Sequence, residues 1–386
     1  MSTHRIPVAS VDLSGNEEQY AVDAIRSTWI SSTGAYLDRF ENEFAGLCNT
    51  RSALAVCNGT VALHLALLAL DVRPGDEVIV PSLTYVATAN AVRYVGAEPV
   101  FVDVDPQTWC MDPARVEDAI TRRTRGIIPV HLMGHPADMD PINHIAAVNG
   151  LWVVEDAAEA PLARYKGKIV GGLSDLATFS FFGNKMFTCG EGGAIAVNDD
   201  RLAKRMRTLR GQGMDPQRRY YFPVTGYNFR LTNLASAILC AQLERREQII
   251  QMRRRIYEVY NRLLSAVPGV ALQPVAPWAE LSPWMYACRV EPARFGGSRD
   301  QLIGYLADHE IETRPMFVPL HGLPPFREES SKRGEHLPVT DEISSTAIML
   351  PTYNQLTEAD QHRIVETIAR AGEAFQRTSG LLRRVA

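Results

Sequence analysis

Hydrophobic and polar positions along the chain follow two periods, one typical of helices and one of buried strands. Apolar residues recur at spacings of three and four over residues 36–47, which predicts an amphipathic helix, and another helix is predicted over residues 16–28. Residues 60–70 (TVALHLALLAL) are apolar on nearly every side of a helix. A helix of that composition is expected to lie inside the protein.

Beyond this helix, short runs rich in β-branched residues alternate with helical segments. The predicted strands are 77–81, 99–104, 126–132, 151–157, 177–182 and 193–198, and helices are predicted near 88–95 and 113–120. Because these runs are apolar on both faces, they indicate a mainly parallel sheet with helices on both sides. The pattern therefore predicts an α/β fold.

The last third of the chain predicts a second, smaller unit. Residues 232–266 contain no Gly or Pro and predict one long helix or two in succession, followed by the Pro-rich segment 268–283. Further strands are predicted near 284–292 and 311–318, and further helices near 299–309 and 357–375. We expect a large domain over residues 1–250, with an N-terminal helical segment, and a small α+β domain over residues 251–386.

Composition and charge exclude several classes of protein. Of the 386 residues, 46% are hydrophobic and 22% are charged, which is ordinary for a globular chain and excludes a disordered or collagen-like one. The net charge is 40 − 44 = −4, so the chain has no basic excess with which to bind nucleic acid. The six cysteines are scattered singly, which excludes a disulfide framework and a zinc-ribbon spacing.

The sequence predicts neither a membrane segment nor a metal site. The first fifteen residues lack an apolar core of signal-peptide length, and no stretch approaches 18 uninterrupted apolar residues, so we expect a cytoplasmic protein without a membrane partner. His131 and His135 are four residues apart, a spacing that suits a metal on a helix. Gly134 and Pro136 argue against a helix there, so no metal is expected.

Two candidate catalytic residues follow predicted strands. Lys185 lies in FSFFGNKMFTCGEGG (179–193), where a strand ends in a Gly-rich turn. A lysine leaving a buried strand can be desolvated, which lowers its pKa and suits Schiff-base chemistry with an aldehyde; a solvent-exposed turn lysine is the alternative. Asp156 closes the strand LWVVEDA (151–157), at the end where α/β sheets bind ligands. It is either a helix cap or the partner of a buried cation such as a protonated ring nitrogen.

A phosphate site is a further candidate. Asn58, Gly59 and Thr60 precede the buried helix, and a helix N-terminus with small and hydroxyl residues can hold a phosphate, although simple capping is the commoner outcome. Ser180, on the strand before Lys185, could add a hydroxyl.

For each of three other residues the sequence leaves two alternative roles open. Tyr85 follows a predicted strand and could stack on a flat heteroaromatic ring or pack in the core. Asn228 and Arg230, in GYNFRLTN (226–233), could present donors to an anion or form ordinary caps and surface ion pairs.

Taken together, these segments resemble one known family. The ordered set NGTVALHLALLAL, GDEVIVPSLTYVATANAV, VVEDAAEA, TFSFFGNKMFTCGEGG and GYNFRLTN is similar to the DegT/DnrJ/EryC1/StrS family, from about residue 5 to the C-terminus. The resemblance implies the PLP-dependent transferase fold (aspartate aminotransferase type, fold type I), a sugar aminotransferase activity, and pyridoxal 5′-phosphate (PLP, or its amine form PMP) as cofactor. Lys185 is present where relatives that dehydrate the sugar have histidine.

The resemblance also implies a role for each candidate residue. Lys185 would bind the cofactor covalently, and Asp156 would pair with its ring nitrogen. The other expected cofactor-binding residues are Asn58, Gly59, Thr60, Tyr85, Glu159, Ser180 and Asn228, the last of them from the neighbouring subunit of a homodimer with shared active sites. The residues expected on the substrate side are Trp29, Ser31, Arg230, Arg314, Phe317 and His321.

Within the family, several stretches point to one substrate. STWISSTG (27–34), VHLMGHP (130–136) and ETRPMFVPLH (312–321), together with Glu159, are most similar to enzymes that move an amino group from L-glutamate to C4 of GDP-4-keto-6-deoxy-D-mannose. The alternatives are a UDP- or dTDP-linked keto sugar, amination at C3, a PLP-dependent dehydratase, and a non-catalytic regulator of the same fold.

Overall fold

The computed structural model describes residues 4–385, with side chains described as far as residue 378. The strands in this range are β1 (Ser52–Val56), β2 (Glu77–Pro81), β3 (Glu98–Val102), β4 (Thr124–Ile127), β5 (Trp152–Asp156), β6 (Arg164–Tyr165), β7 (Lys168–Ile169), β8 (Leu176–Ser180), β9 (Gly193–Val197), β10 (Val270–Leu272), β11 (Ala279–Glu280), β12 (Tyr286–Val290), β13 (Arg314–Pro315) and β14 (Ala347–Leu350).

The α-helices of the described residues lie before, between and after these strands. They are α1 (Glu17–Arg26), α2 (Ala35–Leu47), α3 (Gly59–Ala69), α4 (Ala87–Tyr94), α5 (Pro113–Asp118), α6 (Met139–Asn149), α7 (Asp200–Arg210), α8 (Asn233–Glu244), α9 (Arg246–Leu264), α10 (Pro292–Phe295), α11 (Arg299–Asp308), α12 (Arg327–Arg333), α13 (Pro338–Thr346) and α14 (Glu358–Val385).

Seven strands form the central sheet, in the order β1–β9–β8–β5–β4–β2–β3. The pairs β2–β3, β2–β4, β4–β5 and β5–β8 are parallel. Strand β9 is antiparallel to both of its neighbours, β8 and β1. The sheet is therefore mainly parallel with an antiparallel edge, and the predicted α/β class is confirmed.

Helices cover both faces of this sheet, as the doubly apolar strands predict. On β1, Leu54 and Val56 belong to the apolar cluster formed with α3, α4 and α7. The alternate residues Ala53 and Ala55 belong to the cluster formed with α2 and α8. Successive side chains of a strand point to opposite faces, so β1 contributes to both clusters. Helix α3 is buried along most of its length, which explains its lack of a polar face.

A second, antiparallel sheet has the order β10–β12–β14–β13 and packs against α9, α11 and α14. The N-terminal segment also reaches this unit, because the N–H of Ile6 donates to the carbonyl of Glu310 at 2.8 Å. A third sheet of short strands has the order β11–β6–β7. The division of the chain at residue 250 stays a prediction.

The strand predicted over residues 126–132 is wrong in extent, since β4 ends at Ile127. Pro129 has no N–H to continue a ladder, and Met133 adopts a left-handed φ of 49° within a 3₁₀ turn, Leu132–Gly134. Only a single bridge, between Val130 and Asp156, prolongs the pairing.

Two other segments also differ in detail from the predicted elements. The strand predicted near 311–318 is reduced to the two residues of β13, because prolines at 315 and 319 cannot donate to a ladder. The segment 232–266 forms two helices, α8 and α9, which meet at Arg245. The guanidinium of Arg245 lies 3.3 Å from a carboxylate oxygen of Asp12, a contact that holds this junction against the N-terminal segment.

Candidate active site

A cavity of about 400 Å³ lies beside the carboxyl ends of β5 and β8. Of the residues predicted from the sequence, those that line it are Asn58, Gly59, Thr60, Tyr85, Asp156, Glu159, Ser180, Lys185, Arg314 and Phe317. The topology explains this convergence, because β5 and β8 are adjacent and parallel, with Asp156 opposite Thr178. Side chains that follow neighbouring parallel strands meet at one edge of the sheet.

Lys185 is half-buried in the turn that follows β8. Its N–H donates to the carbonyl of Phe182 at 2.9 Å, which closes the turn. Burial lowers the pKa of the Lys185 amine, while the carboxylates of Glu159 and Asp156 act in the opposite direction. The solvent-exposed turn lysine is therefore not what the structure contains. A desolvated amine with a lowered pKa is the form that can act as a nucleophile and a base.

Asp156 is the last residue of β5, and its carboxylate is fixed from two sides. Oδ2 accepts the hydroxyl of Thr88 at 2.8 Å, and Oδ1 accepts the N–H of Ala158 at 3.2 Å. Burial raises the pKa of the Asp156 carboxyl, and these hydrogen bonds, together with Lys185 and His131, oppose that effect. A buried carboxylate aimed into a cavity is suited to pair with a cationic group of a ligand.

Glu159 is a second buried acid in the same cavity. One carboxylate oxygen accepts the N–H of Met133 at 3.0 Å. Burial raises the pKa of Glu159 to about 7, against the opposing effect of the Lys185 amine. The cavity therefore holds one amine and two buried carboxyl groups whose charges depend on one another.

The N-terminus of α3 forms one wall of the cavity. The side chain of Asn58 caps the helix by accepting the N–H of Val61 at 2.9 Å. Within the described residues, the N–H groups of Gly59 and Thr60 have no hydrogen-bond partner. A Cβ added at Gly59 would lie 2.7 Å from Cβ of Ser180, so only glycine allows this close approach. Free N–H groups beside two hydroxyls form an anion site at a helix N-terminus.

Aromatic and cationic side chains line another part of the cavity. The ring centroids of Tyr85 and Phe317 are 5.9 Å apart, and Tyr85 is 58% exposed. Arg314, on β13, is also exposed and lines the cavity. A flat ring with exposed area can stack on a heteroaromatic ligand, and the guanidinium can bind a carboxylate or a phosphate.

The remaining predicted residues lie outside the cavity lining of the single chain. Asn228 accepts the Nε–H of Arg230 at 3.0 Å, and both are outside the cavity. Trp29 is 59% exposed, and the carbonyl of Ser31 accepts the N–H of Asn233. His321 does not line the cavity, and its Nδ1 lies 2.8 Å from the hydroxyl of Ser82. Their roles at the site stay predictions.

Thr88 and Trp284 are among the residues of the site that were not predicted from the sequence. Thr88, on α4, orients Asp156, and Trp284, just before β12, lies with its ring against the Lys185 amine. Thr88 falls within the predicted helix 88–95, but a hydroxyl in a helix gives no sign of its partner. Trp284 comes from a distant segment, and only its position next to Pro283 and a strand could have drawn attention to it.

Two classes of feature are absent from the part of the chain that the structure describes. It contains no group of three or more His, Cys, Asp or Glu side chains that could hold a metal ion. None of its helices combines the length and the apolar composition needed to cross a membrane.

The cavity fits the cofactor that the resemblance implies. PLP carries an aldehyde, a ring nitrogen that is protonated in its working form, and a phosphate. The buried Lys185 amine suits the aldehyde, the buried Asp156 carboxylate suits the ring nitrogen, and the glycine cradle at the start of α3 suits the phosphate. The residues present therefore match the three reactive parts of this group.

Fold and site together define a PLP-dependent enzyme, and comparison with known proteins gives the family. Residues 11–369 match the DegT/DnrJ/EryC1/StrS aminotransferase family. The chain is 48% identical to GDP-perosamine synthase of Caulobacter vibrioides over 365 residues, which cover 94% of this chain and 97% of that protein. It is 43% identical to GDP-perosamine synthase of Escherichia coli O157:H7 over 363 residues, which cover 94% of this chain and 97% of that protein.

A solved structure gives the same result. The chain superposes on the putative sugar aminotransferase Spr1654 from Streptococcus pneumoniae in its PMP form with a TM-score of 0.90 and 28% identity, covering 98% of this chain and 100% of that one. The same relative has also been solved in a PLP form. The chain therefore belongs to the DegT/DnrJ/EryC1/StrS aminotransferase family and is a PLP-dependent aminotransferase. The predicted family, fold and cofactor are confirmed.

Proposed function

We propose that this enzyme transfers the amino group of L-glutamate to C4 of GDP-4-keto-6-deoxy-D-mannose, which yields GDP-perosamine. The observation that carries the proposal is the identity of 48% and 43%, over nearly full length, to two relatives named GDP-perosamine synthase. The cavity supports it, because it holds a buried amine, a buried carboxylate and an anion site in one space of about 400 Å³.

When bound, PLP supplies an aldehyde that captures the amino group and a ring that takes up electron density from the reacting carbon. We propose that Nζ of Lys185 would take a proton from the α-carbon of L-glutamate and would then donate it to carbon C4′ of the cofactor. Its lowered pKa suits this task, because an amine near its ordinary value would be protonated and unable to accept the proton.

Asp156 would hold the proton on the ring nitrogen. Its carboxylate is fixed by Thr88 and by the N–H of Ala158, so it needs no rearrangement when charge develops on the ring. The N-terminus of α3, with Thr60 and Ser180, would bind the phosphate and fix the ring in the cavity. Arg314 is a candidate partner for a carboxylate of glutamate or for the diphosphate of the sugar nucleotide.

We further propose that two copies of the chain form a homodimer with shared active sites. Large apolar side chains are exposed on the single chain at Trp29, Phe182 and Phe222. Exposed apolar groups of this size favour burial against a partner. In this arrangement Asn228 reaches the phosphate of the neighbouring site, and Trp29, Ser31 and Arg230 contribute to the sugar side.

The proposal is tested by offering the purified enzyme, loaded with PLP and supplied with L-glutamate, a panel of GDP-, UDP- and dTDP-linked 4-keto-6-deoxy sugars. We expect mass spectrometry to detect an amino sugar from the GDP-linked substrate, with one equivalent of 2-oxoglutarate. The Lys185→Ala variant, which lacks the amine, is expected to give neither product. An amino sugar formed only from a UDP- or dTDP-linked substrate would overturn the proposed substrate, and consumption of the sugar without 2-oxoglutarate would indicate a dehydratase.

A further inference from the structure

Trp284 lies against the amine on which the chemistry depends. Nζ of Lys185 lies 3.8 Å from the centroid of the Trp284 ring, which is the distance of a close cation–π contact. Trp284 is 4% exposed, and it lies between Pro283 and the start of β12 in the smaller sheet. The central sheet therefore supplies the amine, and a residue beside the second sheet supplies the aromatic face.

The indole is held rigidly in this position. Its Nε1–H donates to the carbonyl of Asn184 at 2.8 Å, in the same turn that carries Lys185. The guanidinium of Arg253, itself buried, donates to the carbonyl of Trp284 at 3.1 Å, and the N–H of Trp284 donates to the carbonyl of Ser282 at 2.8 Å. A ring fixed at both ends loses little freedom when it binds a cation, so its geometry is set before the reaction.

Among the described residues, the charged groups that act on the amine line the cavity already described. Asp156 on β5 and Glu159 in the following turn favour the ammonium form, and Glu191 and Arg314 line the same cavity. Both acids also interact with other groups. Asp156 is expected to face the ring nitrogen of the cofactor, and Glu159 accepts the N–H of Met133. The indole face also contacts the lysine amine, and unlike these acids it has no ionisable group of its own.

We propose that Trp284 is a positioning residue that receives the released amine of Lys185 and stabilises it in its protonated state. The ring can stabilise an ammonium group only while the amine is free, because a lysine bound to the cofactor is no longer an ammonium group. It therefore acts in the part of the cycle in which Lys185 carries a proton between two carbon atoms. The inference rests on the aminotransferase chemistry of the family and not on the identity of the sugar.

Energetically, the indole offsets part of the cost of burying the ammonium. An aromatic face is attracted to a desolvated cation but not to a neutral amine, so it raises the affinity of the amine for a proton. Burial acts in the opposite direction, which lets the amine bind and release a proton within one cycle. Removal of the indole would make Lys185 a weaker base.

The small number of lysines makes a direct test possible. The chain has only five lysines, at positions 166, 168, 185, 204 and 332, so lysine labelled with ¹³C at Cε gives few NMR signals. The Lys185→Arg variant assigns the signal of Lys185. In cofactor-free protein we expect Trp284→Leu to move the titration of this signal to lower pH by roughly 0.5–1.5 units. Trp278→Leu, at a ring that packs on His135 and Tyr165 outside the cavity, is the control and should leave it unchanged.

Fluorinated tryptophans at position 284 separate electrostatics from structure. Added fluorine atoms weaken the negative potential of the ring face but keep its shape and its N–H, so the bond to Asn184 is retained. We expect the pKa of Lys185 to fall stepwise with the number of fluorine atoms, in protein that folds normally. A titration that does not change across this series overturns the proposal, even if Trp284→Leu fails to fold.

A kinetic measurement extends the test to the loaded enzyme. With L-glutamate deuterated at the α-carbon, we expect the fluorinated variants to show a larger isotope effect on the first half-reaction, because proton transfer becomes slower. An isotope effect equal to that of the unmodified enzyme would contradict a role in proton transfer. Neither readout uses the keto sugar, so the inference can stand if the proposed sugar is wrong, and it can fail if the sugar is right.

Discussion

The charge of Glu159 at neutral pH depends on its surroundings in the folded protein, and not only on the ordinary pKa of a glutamate side chain. Burial raises its pKa to about 7 from an ordinary value of 4.5, so the folded protein holds a proton that the unfolded chain has already released. Between these two pH values the free energy of unfolding falls as the pH rises, and above about 7 this contribution is constant. The same carboxyl contacts the N–H of Met133 and faces the Lys185 amine.

The pH dependence of stability should therefore change when this carboxyl is removed. We expect cofactor-free Glu159→Gln to gain stability relative to the unmodified protein as the pH rises from about 4.5 to about 7, and to keep a constant advantage above that range. Urea unfolding at pH 5, 6, 7 and 8 measures the difference. Glu258→Gln, at an exposed residue of α9, is the control. Parallel pH profiles for Glu159→Gln and the unmodified protein would contradict the raised pKa.

At this scale, the sequence could identify only those residues whose chemistry shows in their own segment. Lys185 and Asp156 each follow an apolar strand, and the end of a parallel strand is where a ligand site is expected. Trp284 could not be found in this way, because it is about one hundred residues away and its contact with Lys185 depends on how the two sheets pack. A pattern along the chain carries no information about such packing.

Strand β5 shows how an element is fixed where it carries the site. Its penultimate residue, Glu155, is buried and accepts hydrogen bonds from the N–H groups of Gly171 and Leu173 at 2.9 Å, from the hydroxyl of Ser174, and from Nε2 of His131. The N–H of Ala137 donates to Nδ1 of the same histidine, which assigns its proton to Nε2. Glu155 therefore holds the loop before β8 against the end of β5, next to Asp156.

Replacement of this acceptor should destabilise the fold. In Glu155→Gln an amide NH₂ replaces one carboxylate oxygen and faces donors, so we expect the free energy of unfolding to fall by about 2–5 kcal/mol. Glu117→Gln, at an exposed residue of α5, is the matched control and should change it by less than about 0.5 kcal/mol. Equal urea midpoints for the two variants would mean that the Glu155 network contributes little.

The sequence predicts a helix or strand best where burial alone determines its pattern of apolar residues. Helix α3 and strand β2 follow from their apolar patterns, because burial on all sides or on both faces leaves a clear pattern. The segment after β4 was predicted wrongly because its apolar residues suit a strand while Pro129 prevents the ladder. In this segment the local preference for a strand does not produce one, and only a bridge between Val130 and Asp156 continues the pairing within the described residues.

At the scale of the whole molecule, the single chain leaves part of the predicted site unassembled. Asn228 is expected to bind the phosphate, yet it lies outside the cavity and pairs with Arg230. Trp29 is likewise exposed to solvent. A two-fold dimer resolves this separation if each chain supplies these residues to the cavity of its partner. No pattern within one sequence can distinguish a residue that acts in its own chain from one that acts across an interface.

Mixed dimers test this arrangement directly. We expect the Lys185→Ala and Asn228→Ala homodimers each to have strongly reduced activity. A heterodimer of the two variants would contain one site with both defects and one site with neither, because the intact Lys185 and the intact Asn228 come from different chains. When the two variants are co-expressed in equal amounts and associate at random, about half of the dimers are heterodimers. Each heterodimer has one intact site of two, so about a quarter of all sites are intact and about a quarter of the full activity should return. If Asn228 acts within its own chain, every site carries a defect, and co-expression restores nothing above the Asn228→Ala background.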